Sequence, residues 1–203
     1  MTIVPWTRLQ SHPIWTAAME NYTQGLRTYH DEGHICLMYK YAAKMEGPYD
    51  EFLDWAILAH DVIYDDLPHK EIRSIEWLYE QFCEFGEPWD HRIYDLIMST
   101  VDHSPATYKD NRLIILDLYE LTIPEARALN YMRVKSEMIY IYDIDEVQFV
   151  AGNRKFMLNL AGNFAPDRTN GLGWDEYWDA VAEGCLWCAT ESEKILLRSV
   201  ENY

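Results

Sequence analysis

Apolar residues recur at three- and four-residue spacing along nearly the whole chain, the period of α-helices lying on a core. Residues 13–25 open the pattern, with Pro13 suited to a first helical turn. Residues 30–46 carry Ile35, Met38, Tyr39, Ala42, Ala43 and Met45 as one stripe, ended by Gly47-Pro48. Asp50 then precedes EFLDWAILAHDVIY, a segment so uniformly apolar that it reads as the central helix. After the break Asp65-Asp66-Leu67-Pro68, Ile72, Ile75, Leu78, Tyr79 and Phe82 share one face of a fourth helix, which Gly86 stops. Pro88 starts a fifth, through Ile93, Leu96, Ile97 and Thr100, and Ser104-Pro105 ends it.

Residues 111–121 contain LIILDLYEL, which alone would suit a buried strand. Every neighbour is helical and a lone strand has nothing to pair with, so helix is the better reading. Thr122-x-x-Glu125 around Pro124 has the form of a capping box and predicts a helix to about residue 143. Residues 145–161 form another, NFAPDRTNGLG reads as a loop, and residues 174–197 close the chain with an amphipathic helix. The expectation is an all-α fold of about eight or nine helices. Residues 1–165 would form one helical domain, with a linker loop and the last helix, 166–203, packed on it.

Composition narrows the classes. The 203 residues include 17 Lys plus Arg against 34 Asp plus Glu, a net charge of −17. A field that negative repels phosphate backbones, so bulk nucleic acid is disfavoured as a partner. A small anion is still admissible where a metal or local cations neutralise it. Aromatics at 14% argue against disorder. No apolar run approaches the ~20 residues that span a bilayer, so no membrane partner is expected. MTIVPWTRLQ lacks the basic-then-apolar form of a secretory leader, and four cysteines are too few for a disulfide scaffold. A cytoplasmic setting is the expectation. Cys36 and Cys83 read as buried thiols, and Cys185-x-x-Cys188, inside a helical pattern, as core or surface thiols.

Histidine and aspartate break the ordinary pattern. His30 and His34 are spaced i, i+4, which on a helix puts them on one face. His60-Asp61 follows the most apolar segment, and Asp117 sits between apolar residues in LIILDLYEL. A carboxylate buried there needs a cation, a metal or several donors. Two such anomalies and a histidine pair predict a shared polar centre inside a bundle. Imidazoles with carboxylates suit a divalent transition metal and leave positions for water.

His34, His60-Asp61 and Asp117 follow the H…HD…D order of the HD-domain metal-dependent phosphohydrolases, which this chain resembles. Tyr29-His30-x-x-x-His34-Ile35, Ala59-His60-Asp61-x-x-Tyr64-Asp65, Glu71-x-x-Ser74, Thr100-x-x-His103 and Asp117-Leu118 are similar to words of its predicted metal-dependent phosphohydrolase subfamily. Lys135-x-Glu137 and Phe149…Arg154…Leu158 are similar to two further stretches, so the likeness spans residues 22–162. Lys70 stands where that subfamily has Asn, Ile115 where it has a second Asp, and Lys135 where it has Arg. Tyr64 stands where the nucleotidase branch has an acidic Glu.

The resemblance implies an HD-type helical bundle and a divalent ion, one of Mn, Co, Fe, Zn or Mg, on His34, His60, Asp61 and Asp117. Such an ion acidifies water and stabilises charge on a phosphoryl oxygen. Asp61 would also orient the water. Asp65 and Glu71 are candidates to protonate the leaving group, and His30, His103 and Tyr64 to contact substrate. Lys70, Arg73, Lys135 and Arg154 are the cations to meet phosphate. A small phosphorylated molecule, with a nucleotide first, is the implied substrate. Phosphodiester or nucleotide-signal hydrolysis is the nearest alternative, and a non-catalytic acidic binding protein on the same scaffold the other. His12, His69 and His91 have no such company, and Trp174, Trp178 and Trp187 read as anchors of the last helix.

Overall fold

The computed structural model describes residues 4–201 other than 26, 46, 166–168 and 170–173. Among the described residues there are nine α-helices and no strand. They are α1 (Pro13–Tyr22), α2 (Glu32–Ala42), α3 (Glu51–Ala59), α4 (Lys70–Phe85), α5 (His91–Met98), α6 (Arg112–Asp117), α7 (Pro124–Ile141), α8 (Glu146–Asn163) and α9 (Asp175–Glu201). A 3-10 turn, Tyr119–Thr122, lies between α6 and α7. No helix among the described residues is long and apolar enough to cross a membrane.

The chain forms two compact units. The first is residues 1–101 with 110–117, and the second is 102–109 with 118–203. This division differs from the expected boundary at residue 165. The run LIILDLYEL is cut between Asp117 and Leu118, where α6 gives way to the 3-10 turn. Most of the expected loop 163–173 lies outside the described residues.

In the first unit α3 is central, as its composition predicts, and contacts α1, α2, α4, α5 and α6. Leu53 through Ala59 are all buried. Each large apolar side chain among them gains about 1.5–3 kcal/mol on leaving water. Capping aspartates set the helix starts: Asp31 accepts from His34 N, Asp50 from Phe52 N, and Asp90 from Arg92 N. Pro88 lies outside α5, which starts one cap later than the sequence suggests and ends at Met98, before Ser104-Pro105. Gly86 ends α4 at φ +74°, where a side chain would strain the backbone.

The second unit is built on α8 and α9 lying together, with the 3-10 turn and α7 against α9. Its core joins Tyr131, Phe149, Val150 and Cys188, with Leu121, Met138 and Trp187 packed on it. The expected capping box at Thr122 does not form. Thr122 Oγ1 instead donates to Tyr119 O at 2.7 Å, and Ile123 stands before Pro124 without a side-chain cap. The box forms at α8, between Asp145 and Gln148. Trp178 is buried and stacks on Phe164, and Trp187 is partly buried. Trp174, expected as an anchor, is exposed because it precedes α9 at φ +66°. Cys185 and Cys188 are buried, and burial pushes their thiols up to about 12 and about 11. Cys83 is exposed, contrary to expectation, because it lies off the Ile75–Leu78–Phe82 face of α4.

Candidate metal centre

Four backbone positions of the first unit bring the centre together. His34 lies in the first turn of α2, where its N–H is held by the Asp31 cap at 3.1 Å. His30 is not on that helix. Asp31, in extended backbone, starts α2 after it, so the i, i+4 pair is not one helical face. The two imidazoles meet nonetheless, with ring centroids 5.8 Å apart. His60 and Asp61 follow the last residue of α3 at once, and Asp117 is the last residue of α6.

His34 Nε2 lies 3.1 Å from Asp117 Oδ1, and His60 Nε2 lies 3.7 Å from the same oxygen. One ligand atom each from His34, His60 and Asp117 falls within 4.8 Å of the others. Asp61 is not in that set. Its Oδ2 lies 3.3 Å from His60 Nε2 and 3.9 Å from His30 Nε2, and its Oδ1 lies 3.3 Å from Lys70 Nζ.

By residue type and spacing this donor set could hold a metal ion. His60 is fully buried, and its Nδ1 pairs with Ile57 O at 3.1 Å, which keeps the hydrogen there. Its Nε2 is left without a hydrogen bond, aimed among carboxylates. Burial opposes charge on this imidazole, but Asp61 and Asp117 outweigh it and lift the ring to about 10. Two carboxylates thus face this imidazole nitrogen, at 3.3 and 3.7 Å. Burial would raise Asp61, yet Lys70, His60 and His30 hold it well below the usual carboxylate range.

Tyr64 organises the rim. The His30 ring stacks on it with centroids 4.2 Å apart, and Lys70 Nζ lies 3.9 Å over it. Glu71 Oε1 lies 3.9 Å from Lys70 Nζ. Ser74 pins the loop between these groups, accepting from Ile63 N at 3.1 Å. Asp65 faces Arg73 in a two-pronged pair, Nη1 to Oδ2 at 2.8 Å. Arg73 holds the Asp65 carboxyl below its ordinary value, so it is charged near neutral pH and poorly suited to donate a proton.

Nothing in the sequence pattern singles out Arg27. Its guanidinium donates to Asp61 O at 2.8 Å and Val62 O at 2.9 Å, clamping the backbone at and just after Asp61. A lone Arg in a loop gives no periodic signal, and only its nearness to Tyr29-His30 marks it.

Three expected contacts lie in the second unit. His103 sits there in left-handed backbone, at φ +48°. Lys135 Nζ meets Glu146 Oε1 at 2.7 Å, and Arg154 Nη2 meets Glu193 Oε1 at 3.4 Å.

No protein-family model, curated protein or solved structure matches this chain.

Proposed function

We propose that this protein is a metal-dependent phosphohydrolase of the HD type, acting on a small phosphorylated molecule, with a nucleotide the first substrate class to try. The observation that carries the reading is the convergence of His34, His60 and Asp117, from three separate helix ends, within 4.8 Å. Nothing in their sequence spacing brings them together except the fold. The likeness of the ordered motifs to that superfamily supports the same reading, as an analogy.

His34, His60 and Asp117 would hold the ion, with Asp61 beside them. When bound, a divalent ion supplies Lewis acidity and lowers the pKa of water. Asp61 would orient the attacking water and accept its proton. Lys70 and His30 would meet phosphoryl oxygens, which matters in a chain of net charge −17 that otherwise repels anions. Glu71, close to Lys70, is the remaining carboxyl candidate to protonate the leaving group. The reading puts the protein in the cytoplasm, where its four free thiols stay reduced.

The test is metal analysis of anaerobically purified protein, followed by phosphate release from a panel of nucleoside monophosphates, sugar phosphates and phosphodiesters. One ion per chain and turnover abolished by a chelator are expected. Metal-free protein that turns over nothing with any of the five ions would end the proposal and favour an acidic binding protein.

A further inference from the structure

We propose that Lys70 keeps Asp61 from the metal, so that the ion rests on His34, His60 and Asp117 alone and Asp61 stands beside it as a separate carboxylate. This rests on the metal reading above and sharpens it, because the family pattern would count Asp61 among the ligands.

The geometry around Asp61 carries the inference. Its Oδ1 faces the Lys70 ammonium at 3.3 Å, and its Oδ2 faces His60 and His30 nitrogens at 3.3 and 3.9 Å. The cluster that could share one ion is complete without it. Lys70 is held in place rather than left to wander. Its ammonium sits 3.9 Å over the Tyr64 ring, a cation–π contact, and Glu71 lies 3.9 Å away on another side. Its side chain keeps 24% exposure while the Asp61 carboxylate keeps 8%. The ammonium therefore caps a nearly buried carboxylate from the solvent side.

A carboxylate already neutralised by a fixed ammonium offers a second cation little. To use Asp61 as a ligand the ion must expel Lys70 or sit beside its charge, and both oppose binding. An ion on three protein ligands keeps more positions for water and substrate than one on four. Toward the metal, Lys70 is thus a positioning residue that acts through Asp61.

The experiment is calorimetric titration of Mn2+ into metal-free wild type, Lys70→Met, Asp61→Asn and the double variant, each first shown by circular dichroism to be folded. Lys70→Met frees the carboxylate and should bind Mn2+ about tenfold tighter or better. Asp61→Asn leaves the ammonium uncompensated and should bind about tenfold more weakly or worse. The double variant removes a neutral pair and should stay within about threefold of wild type, as should Lys70→Arg, which keeps the charge. A double variant about 30-fold or more weaker than wild type would show that Asp61 is a ligand after all and overturn the inference. Unchanged affinity in Lys70→Met would overturn it too. Both results leave the metal reading standing as long as wild type binds Mn2+ and His34→Ala does not. If no folded variant binds Mn2+, the metal reading itself fails, and the Lys70 inference with it.

Discussion

Arg112 Nη2 donates to Asp50 Oδ2 at 2.6 Å and so ties the first turn of α6 to the cap of α3. These two helices end in Asp117 and in His60-Asp61 respectively. The pair sits at the opposite ends of the helices from the centre and fixes how those ends meet.

Replacing Asp50 by Ala removes that pair and the cap on Phe52 N together. Loss of such a cap and its charged partner should cost about 1–3 kcal/mol in urea unfolding at pH 7. Burial alone would raise the Asp50 carboxyl, but Arg112 and the helix N–H groups outweigh it and hold the carboxyl low. Its contribution is therefore present above the unfolded value of ~3.9 and lost as pH falls through the folded one. The gap between wild type and Asp50→Ala should shrink on acidification. A gap that is absent at pH 7 would mean the contact is idle.

Asp54 should behave in the opposite sense. It is fully buried in α3 and accepts from Thr7 Oγ1 at 2.7 Å, Arg8 N at 2.9 Å and Tyr49 Oη at 2.8 Å, strapping the N-terminal segment down. Burial outweighs these donors and leaves its carboxyl raised. Its contribution is full below the unfolded value and fades as pH rises through the folded one. The advantage of wild type over Asp54→Ala should thus grow as pH falls. At neutral pH, Asp54→Ala strands three donors and should expose residues 4–12 to proteolysis and rapid amide exchange. Unchanged protection of that segment would contradict the strap.

Gly184 marks a close approach of α9 to the 3-10 turn. A Cβ there would clash with Leu121 O, which is backbone and has little freedom to yield. Alanine is ordinarily the better helix former by about 1 kcal/mol. Here the clash between α9 and the 3-10 turn should dominate, and Gly184→Ala should lower stability by about 1–3 kcal/mol. A melting temperature equal to or above that of wild type would refute the close contact.

What the sequence made legible follows from what is periodic. The central place of α3, the stop at Gly86 and the start of α7 at Pro124 rest on apolar stripes and backbone-restricting residues, which act locally. Asp117 and His60-Asp61 stand out because charge in an apolar run is costly wherever the run is buried. Asp54 carries the same signal, but its role is not local, since its partners Arg8 and Thr7 are 46 and 47 residues away. The spacing of His30 to His34 imitates a helix, whereas Asp31 caps α2 after His30. The change of unit after Asp117 was invisible because LIILDLYEL stays apolar across it. Arg27 acts through backbone carbonyls, which no side-chain pattern announces.

Tyr64 gives the sharpest test of how the rim works. A phenol of pKa ~10 is a poor proton donor near neutral pH. The geometry gives the ring a different role. It stacks on His30 and carries Lys70 Nζ, and these two residues supply the nitrogens that face Asp61 from outside the cluster. Tyr64→Phe keeps the ring and its face, and should leave hydrolysis within about fivefold of wild type. Tyr64→Ala removes the support of both nitrogens and should raise KM for the phosphorylated substrate by about tenfold or more. On the proposed function, Asp61→Ala should abolish turnover at saturating metal, because Asp61 is the carboxylate assigned to take the water's proton. The three are compared at equal folded fraction. If Tyr64→Phe fell as far as Asp61→Ala, the hydroxyl would be the working group and the ring only its carrier. If Tyr64→Ala matched wild type, neither His30 nor Lys70 would depend on it, and the rim would have no part in binding the substrate.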